Sequence, residues 1–184
     1  MPITKLDVAE REIVAAVRLL FDGGDPIPVY ALANAAREIT STLCAKRGVH
    51  SIVDWIQEDH PDMARKDIYR LASKHASFFK HADQDPDGVL DDFDPTEADA
   101  VLYMACADFI NLRGAVVPIE IHAFELWTYA MRDLLSLMGI PDIAELRGIV
   151  EAPRPAQIEM GRTMLAWARS NVPAIETMLH KAAT

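Results

Sequence analysis

The side chains best equipped for chemistry crowd one stretch. From Arg65 to His81 the chain carries Arg65, Lys66, Arg70, Lys74 and Lys80 against a single acid, Asp67, with His75 and His81 among them. Histidine moves protons readily near neutral pH, and a guanidinium or ammonium group stabilises a phosphate. Read as one helix over 62–81, the stretch places Arg70, Lys74, Ser77 and His81 on one face. That face stands about 100° from an apolar stripe of Ala64, Ile68, Leu71, His75, Phe78 and Ala82. Ser77 and His81 are one turn apart and can act together. Arg70 and His81 are three turns apart, about 16 Å, too far to share a reacting atom within one chain. His75, on the apolar stripe, is expected to pack in a core or an interface. The plainest reading of the basic face is a solvated surface whose Lys80 and His81 meet the negative end of the helix.

Two other groups of residues have the right types for a site. Asp83, Asp85, Asp87, Asp91 and Asp94 stand at positions 1, 3, 5, 9 and 12 of a loop, with Gly88 at position 6 and Leu90 at position 8. That is the spacing of a calcium loop, and Asp83, Asp85, Asp87 and Asp91 are the metal ligands it would supply. Position 12, however, is Asp in place of the bidentate Glu, and Asp94 is also the expected cap of the next helix. A solvated acidic turn, or a docking point for a basic protein, is the alternative. Further on, His122 and Glu125 are helix neighbours among Glu120, Trp127, Tyr129 and Arg132, which suits half of a metal or acid–base site, or a buried hydrogen bond.

The elements that must position these groups are helical throughout. Leu6, Ala9, Ile13, Val17 and Leu20 recur at helical spacing up to Gly23-Gly24. Asp25-Pro26 opens a second helix with Val29, Leu32, Ala36, Ile39 and Leu43 on its stripe, ended by Gly48. A short helix is expected over 51–58, then the basic helix. Asp94-Pro95-Thr96-Glu97 combines a capping acid, proline at the first helical position and Glu three residues after the cap, so a helix runs from there to about Gly114. Another is expected from Pro118 to Met138, with Val116 to Ile119 as a short strand in the alternative. Short helices follow at 141–147, 156–170 and 173–181. The fold class is all-α: a single domain over 1–184, with a bundle of about five long helices in 5–138 and accessory helices in 141–181.

Composition sets the outer bounds. Half of the chain is apolar, 51%, which suffices for a core without metal or disulfide staples. Cys44 and Cys106 lie singly in helical patterns, as reduced buried cysteines do. No apolar run approaches the ~20 residues of a membrane span, and the acids near the N-terminus do not suit a signal peptide, so a cytoplasmic protein without a membrane partner is expected. The net charge of −10 is concentrated: residues 83–99 hold eight acids and no Lys or Arg, and without them the chain stands at −2. A nucleic-acid partner is therefore not excluded by charge. Phosphate-cradling glycine loops, G-x-S-x-G and H-E-x-x-H are absent from the sequence, and no cofactor is expected.

The stretch from Ala31 to Gly48, followed by Phe78-Phe79-Lys80-His81-Ala82-Asp83 and Asp85-Pro86, resembles a group of uncharacterised bacterial helical proteins. More distantly, residues 5–135 resemble the HEPN superfamily of helical bundles. That resemblance implies a homodimer, and an RNase that needs no metal, of the toxin–antitoxin or phage-defence kind, or a relative that has lost the activity. The superfamily's motif is an arginine, commonly followed by a polar residue, with a histidine a few residues on. Two registers fit it in part. Arg70 with His75 keeps the Arg-x4-His spacing. His81 keeps the Phe-Phe-Lys-His match and has Ser77 as its polar neighbour, but Ala76 replaces the arginine and Lys74 is the only nearby cation. By this resemblance His75 or His81 is the general base toward a ribose 2′-hydroxyl, and Arg70 or Lys74 stabilises the phosphate, with RNA as the partner. The competing expectation is a non-enzymatic bundle whose acidic loop docks a basic protein.

Overall fold

A computed structural model describes residues 2–81, 83, 85–114, 116–134 and 148–171. Among these it holds eight α-helices and no strand: α1 Lys5–Phe21, α2 Pro26–Arg47, α3 Ile52–Asp59, α4 Arg65–Ala72, α5 Ala76–Lys80, α6 Pro95–Arg113, α7 Ile119–Met131 and α8 Arg154–Ser170. The expected helices at 141–147 and 173–181 lie outside the described residues. No helix among those described is long and apolar enough to cross a membrane.

Local signals set most of the boundaries. Thr4 caps α1 through a reciprocal pair with Asp7, and Ser51 does the same for α3 with Asp54. Asp25 accepts from the Ile27 amide ahead of α2, and Asp94 from the Thr96 amide ahead of α6, each with proline in the first turn. Helix α2 stops at Gly48 with φ 66°. Helix α7 ends earlier than the apolar pattern suggests. Asp133 takes φ 55°, and the Leu134 amide returns to the Tyr129 carbonyl, which closes the helix at Met131. Residues 116–118 form no strand.

The most extensive helix contact is α2 against α6, with α1 lying on α2 and α8 on α7. Leu6, Ala9, Ile13, Val17 and Leu20 are all buried, as their spacing predicts. One core runs through α1, α2, α5, α6, α7 and α8. A second, smaller one joins Ile52 and Val53 of α3, Ile68 and Ala72 of α4, and Met104 and Ala107 of α6. Helix α8 is no accessory, since Met164, Leu165 and Ala168 belong to the main core. It approaches α1 closely at Gly161, where an added Cβ would stand 2.2 Å from the Phe21 ring. Phe21 cannot withdraw easily, because it packs edge-on against Trp127 and tilted against Phe124.

Alanine ordinarily stabilises a helix interior by about 1 kcal/mol over glycine. Here the overlap with a buried ring reverses the sign. Gly161→Ala is expected to cost about 1–3 kcal/mol and to lower the melting temperature in calorimetry, whereas an unchanged or higher melting temperature would mean that α8 does not press on Phe21.

Candidate functional site

The basic stretch is not one helix. Residues 73–75 form a turn between α4 and α5, and the Tyr30 hydroxyl from α2 fills the gap. That hydroxyl donates to the Ala72 carbonyl at 2.9 Å and accepts from the His75 amide at 3.3 Å. Arg37, one turn pair further along α2, is also buried; its Nη2 donates to Ser73 Oγ at 2.7 Å and to Asn34 Oδ1 at 2.9 Å. Burial pulls the Arg37 guanidinium below its ordinary value, while Glu38 opposes the shift. Burial likewise raises the Tyr30 phenol, which keeps it a neutral donor.

The break changes which residues face inward. Ile68, Ala72, His75 and Ala76 are buried, whereas Leu71 is 58% and Phe78 42% exposed, so the expected stripe through Leu71 and Phe78 is not the one used. The turn advances the chain by a different angle from a helix, and the smaller alanines take the positions against α2 and α6. Arg70, Lys74, Ser77 and His81 are all exposed, although the single helix face expected to carry them is interrupted at 73–75.

His75 is 2% exposed and sits among Tyr30, Phe79 and Phe93, all at ring-centroid distances of 5.4 to 6.3 Å. Its Nε2 lies 2.9 Å from Glu97 Oε2 but off the hydrogen-bond direction, so the contact is one of proximity more than a directed bond. Glu97, three residues after the α6 cap, therefore reaches across to His75 instead of back to the cap. Lys74 Nζ lies 2.8 Å from Asp92 and 3.8 Å from Glu97. The hydrogen bond between Lys74 and Asp92 raises the first and lowers the second. Lys74 and His75 are thus gathered by Glu97. Arg70 is not: it is 78% exposed and pairs with Asp67 at 3.1 Å. His81 Nδ1 stands 4.0 Å from Asp83, and Ser77 accepts the His81 amide through its carbonyl. Arg70 and His75 satisfy a spacing without sharing a site.

In the acidic loop Asp94 is occupied as the helix cap, accepting from the Thr96 amide and hydroxyl at 2.8 Å each. Among the described residues no three His, Cys, Asp or Glu side chains are grouped closely enough to hold a metal ion, Asp83, Asp85, Asp87 and Asp91 included. His122 Nδ1 is 3.7 Å from Glu125 Oε2, and Tyr129 donates to the same carboxylate at 3.2 Å. These two residues are neighbours as their spacing requires, within a nearly buried patch. Glu120, by contrast, ties the bundle together, accepting from Arg18 at 2.8 Å and Arg169 at 3.0 Å. A cleft of about 350 Å³ beside Trp127 is lined in part by the Arg154–Asp99 pair, which meets at 2.7 Å.

Three buried polar residues that matter here carry no signal in the helical pattern: Tyr30, Arg37 and Asp108. Their partners lie 45, 36 and 56 positions away. Compared with protein-family models, curated proteins and solved structures, the chain matches none.

Tyr30→Phe keeps the ring but strands the Ala72 carbonyl and the His75 amide. A loss of about 1–3 kcal/mol in urea unfolding is expected; a loss under a few tenths would show that water replaces the hydroxyl without penalty.

Proposed function

We propose that this chain is a non-enzymatic, partner-binding helical bundle. Its working face is the acidic loop 83–94 with the exposed Phe78 beside it, and its partner is a basic protein segment with an apolar anchor. The observation that carries this reading is the meeting of exposed aromatic surface with unneutralised acid. Phe78 is exposed and meets Phe79 edge to face at 6.1 Å, and Phe79 packs edge to face on Phe93 at 5.5 Å, inside the loop. Val89, at the loop's tip, is 86% exposed. Among the described residues no Lys or Arg lies within ion-pair distance of Asp85, Asp87 or Asp91. Interfaces pair such rigid aromatic anchors with complementary charge at the rim.

The nuclease reading asks more of the chain. A general base must reach the proton it removes, and His75 is enclosed by three aromatic rings and Glu97. Arg70, the residue paired with it by spacing, stands outside. Lys74, Ser77 and His81 are exposed together, so a dimer that apposed two such faces is the form in which an RNA-cleaving reading survives.

One set of measurements separates these. A fluorescent amphipathic peptide rich in Lys and Arg, with one Leu or Phe anchor, should bind with a Kd that weakens steeply with salt. Asp85→Asn/Asp87→Asn/Asp91→Asn and Phe78→Ser should each weaken it about tenfold or more, about 1.4 kcal/mol, while His81→Ala leaves it unchanged. Binding insensitive to these changes sinks the docking reading. Cleavage of a mixed RNA pool that a His75→Ala/His81→Ala variant loses would replace it with the nuclease.

A further inference from the structure

Asp108, near the end of α6, is a buried carboxylate for which the docking face has no use. It is wholly inaccessible. Oδ1 accepts the Ile52 amide at 2.7 Å, at the first turn of α3, and Oδ2 has no hydrogen-bond partner among the described residues. Its main-chain carbonyl faces the Cys44 thiol of α2 at 3.8 Å. The charged and titratable groups around it are Arg37 and Cys44 from α2, Asp54 from α3 and Arg65 from α4. None supplies a direct partner. Arg65 is already committed to Asp54 and also reaches Ser51, and Arg37 to Asn34 and Ser73.

What Asp108 holds is a distinct layer. Residues 51–72, carrying α3 and α4, rest on α6 through the small second core of Ile52, Val53, Ile68, Ala72, Met104 and Ala107. Among the described residues, the polar ties at the layer and its two ends include Ile52 to Asp108, the Asn111 side chain to the His50 carbonyl at 3.0 Å, Tyr30 and Arg37 at Ala72 and Ser73, and Arg37 over the Tyr69 ring. An ionised carboxylate with one oxygen bare in an apolar layer costs more than a protonated one, whose unpaired group is neutral. Opening the layer would admit water to Asp108.

We propose that Asp108 is a proton-operated latch for the α3–α4 layer, which is shut when the carboxyl is protonated and opens more often once it ionises. The direction follows from where the proton is held more tightly. Burial, reinforced by Asp54 and opposed by the Ile52 amide, Arg37 and Arg65, raises the carboxyl from 3.8 to about 6. The closed form therefore keeps its proton to higher pH than the opened form, whose carboxyl is in water. Closure is favoured fully below about pH 4, and that advantage is lost as the pH rises through about 6. The shift sets a ceiling of about 100-fold on the change in opening. Because α4 carries the exposed Arg70 and Leu71, the latch governs how firmly that edge, next to the docking face, is held. The latch does not depend on that face binding anything.

Amide hydrogen exchange, corrected for intrinsic rates, reads the opening without a partner. Between about pH 4.5 and about pH 7.5 the opening of residues 52–72 should rise about tenfold or more, while α1 and α7 do not follow. Asp108→Asn, which keeps an acceptor for the Ile52 amide and cannot ionise, should remove that rise. Carboxyl carbon NMR of the unmodified protein supplies a second reading, since the Asp108 resonance should titrate with the same midpoint as the exchange of the layer. A layer whose exchange keeps pace with the rest of the molecule overturns the proposal, as does an Asp108 carboxyl that titrates in the ordinary range. If Asp108→Asn folds and retains the rise, the latch is equally excluded.

Discussion

The α4–α5 break exposes main-chain polar groups at the edge of the core, and they must be satisfied from within the protein. A helical bundle has few spare donors, since each helix spends its main-chain bonds internally. Helix α2 supplies what is missing with side chains. The Tyr30 hydroxyl serves as donor and acceptor at once, and Arg37 fastens Ser73. The inward turn of His75, the outward turn of Leu71 and Phe78, and the seating of Phe79 and Phe93 beside Tyr30 all follow from that repair.

The same constraint explains why α2 is buried on more than one side. It packs along α6 and under α1, and it carries Asn34, Arg37, Thr40 and Ser41 into the interior with its apolar residues. Buried polar groups of this kind are stabilising only when paired, so α2 positions its neighbours more narrowly than an all-aliphatic helix would. By comparison the surface pairs, Arg70 with Asp67 among them, contribute about 0–1 kcal/mol each and select little. The geometry of the outward face is set from behind, by the core.

What was legible in the sequence was local. The α6 start at Asp94-Pro95, the α1 stripe and the α2 stop at Gly48 are decided by residues within one turn, and the structure agrees with them. So is the neighbour pair His122–Glu125. The break at 73–75 was not legible, because its cause is a tyrosine hydroxyl 45 residues away. A period of 3.6 continued through Ala64, Ile68, Leu71, His75 and Phe78 is sound arithmetic for a helix that tertiary hydrogen bonds interrupt. Arg37 and Asp108 are hidden for the same reason: a polar residue inside a helical pattern reads as surface until its distant partner is known. Arg70 and His75 show the converse. Spacing along a chain places two residues near each other, but the turn between them sends one outward and the other into the core.

Polar side chains of α2 hold the 72–80 segment and so define the outward face. Amide exchange in an Arg37→Met variant tests it most directly, since methionine fills much of the same space without the donors. Faster exchange confined to 72–80 is expected, with α1 and α7 left as they are. Exchange that accelerates equally across the bundle, or not at all at 72–80, would contradict it.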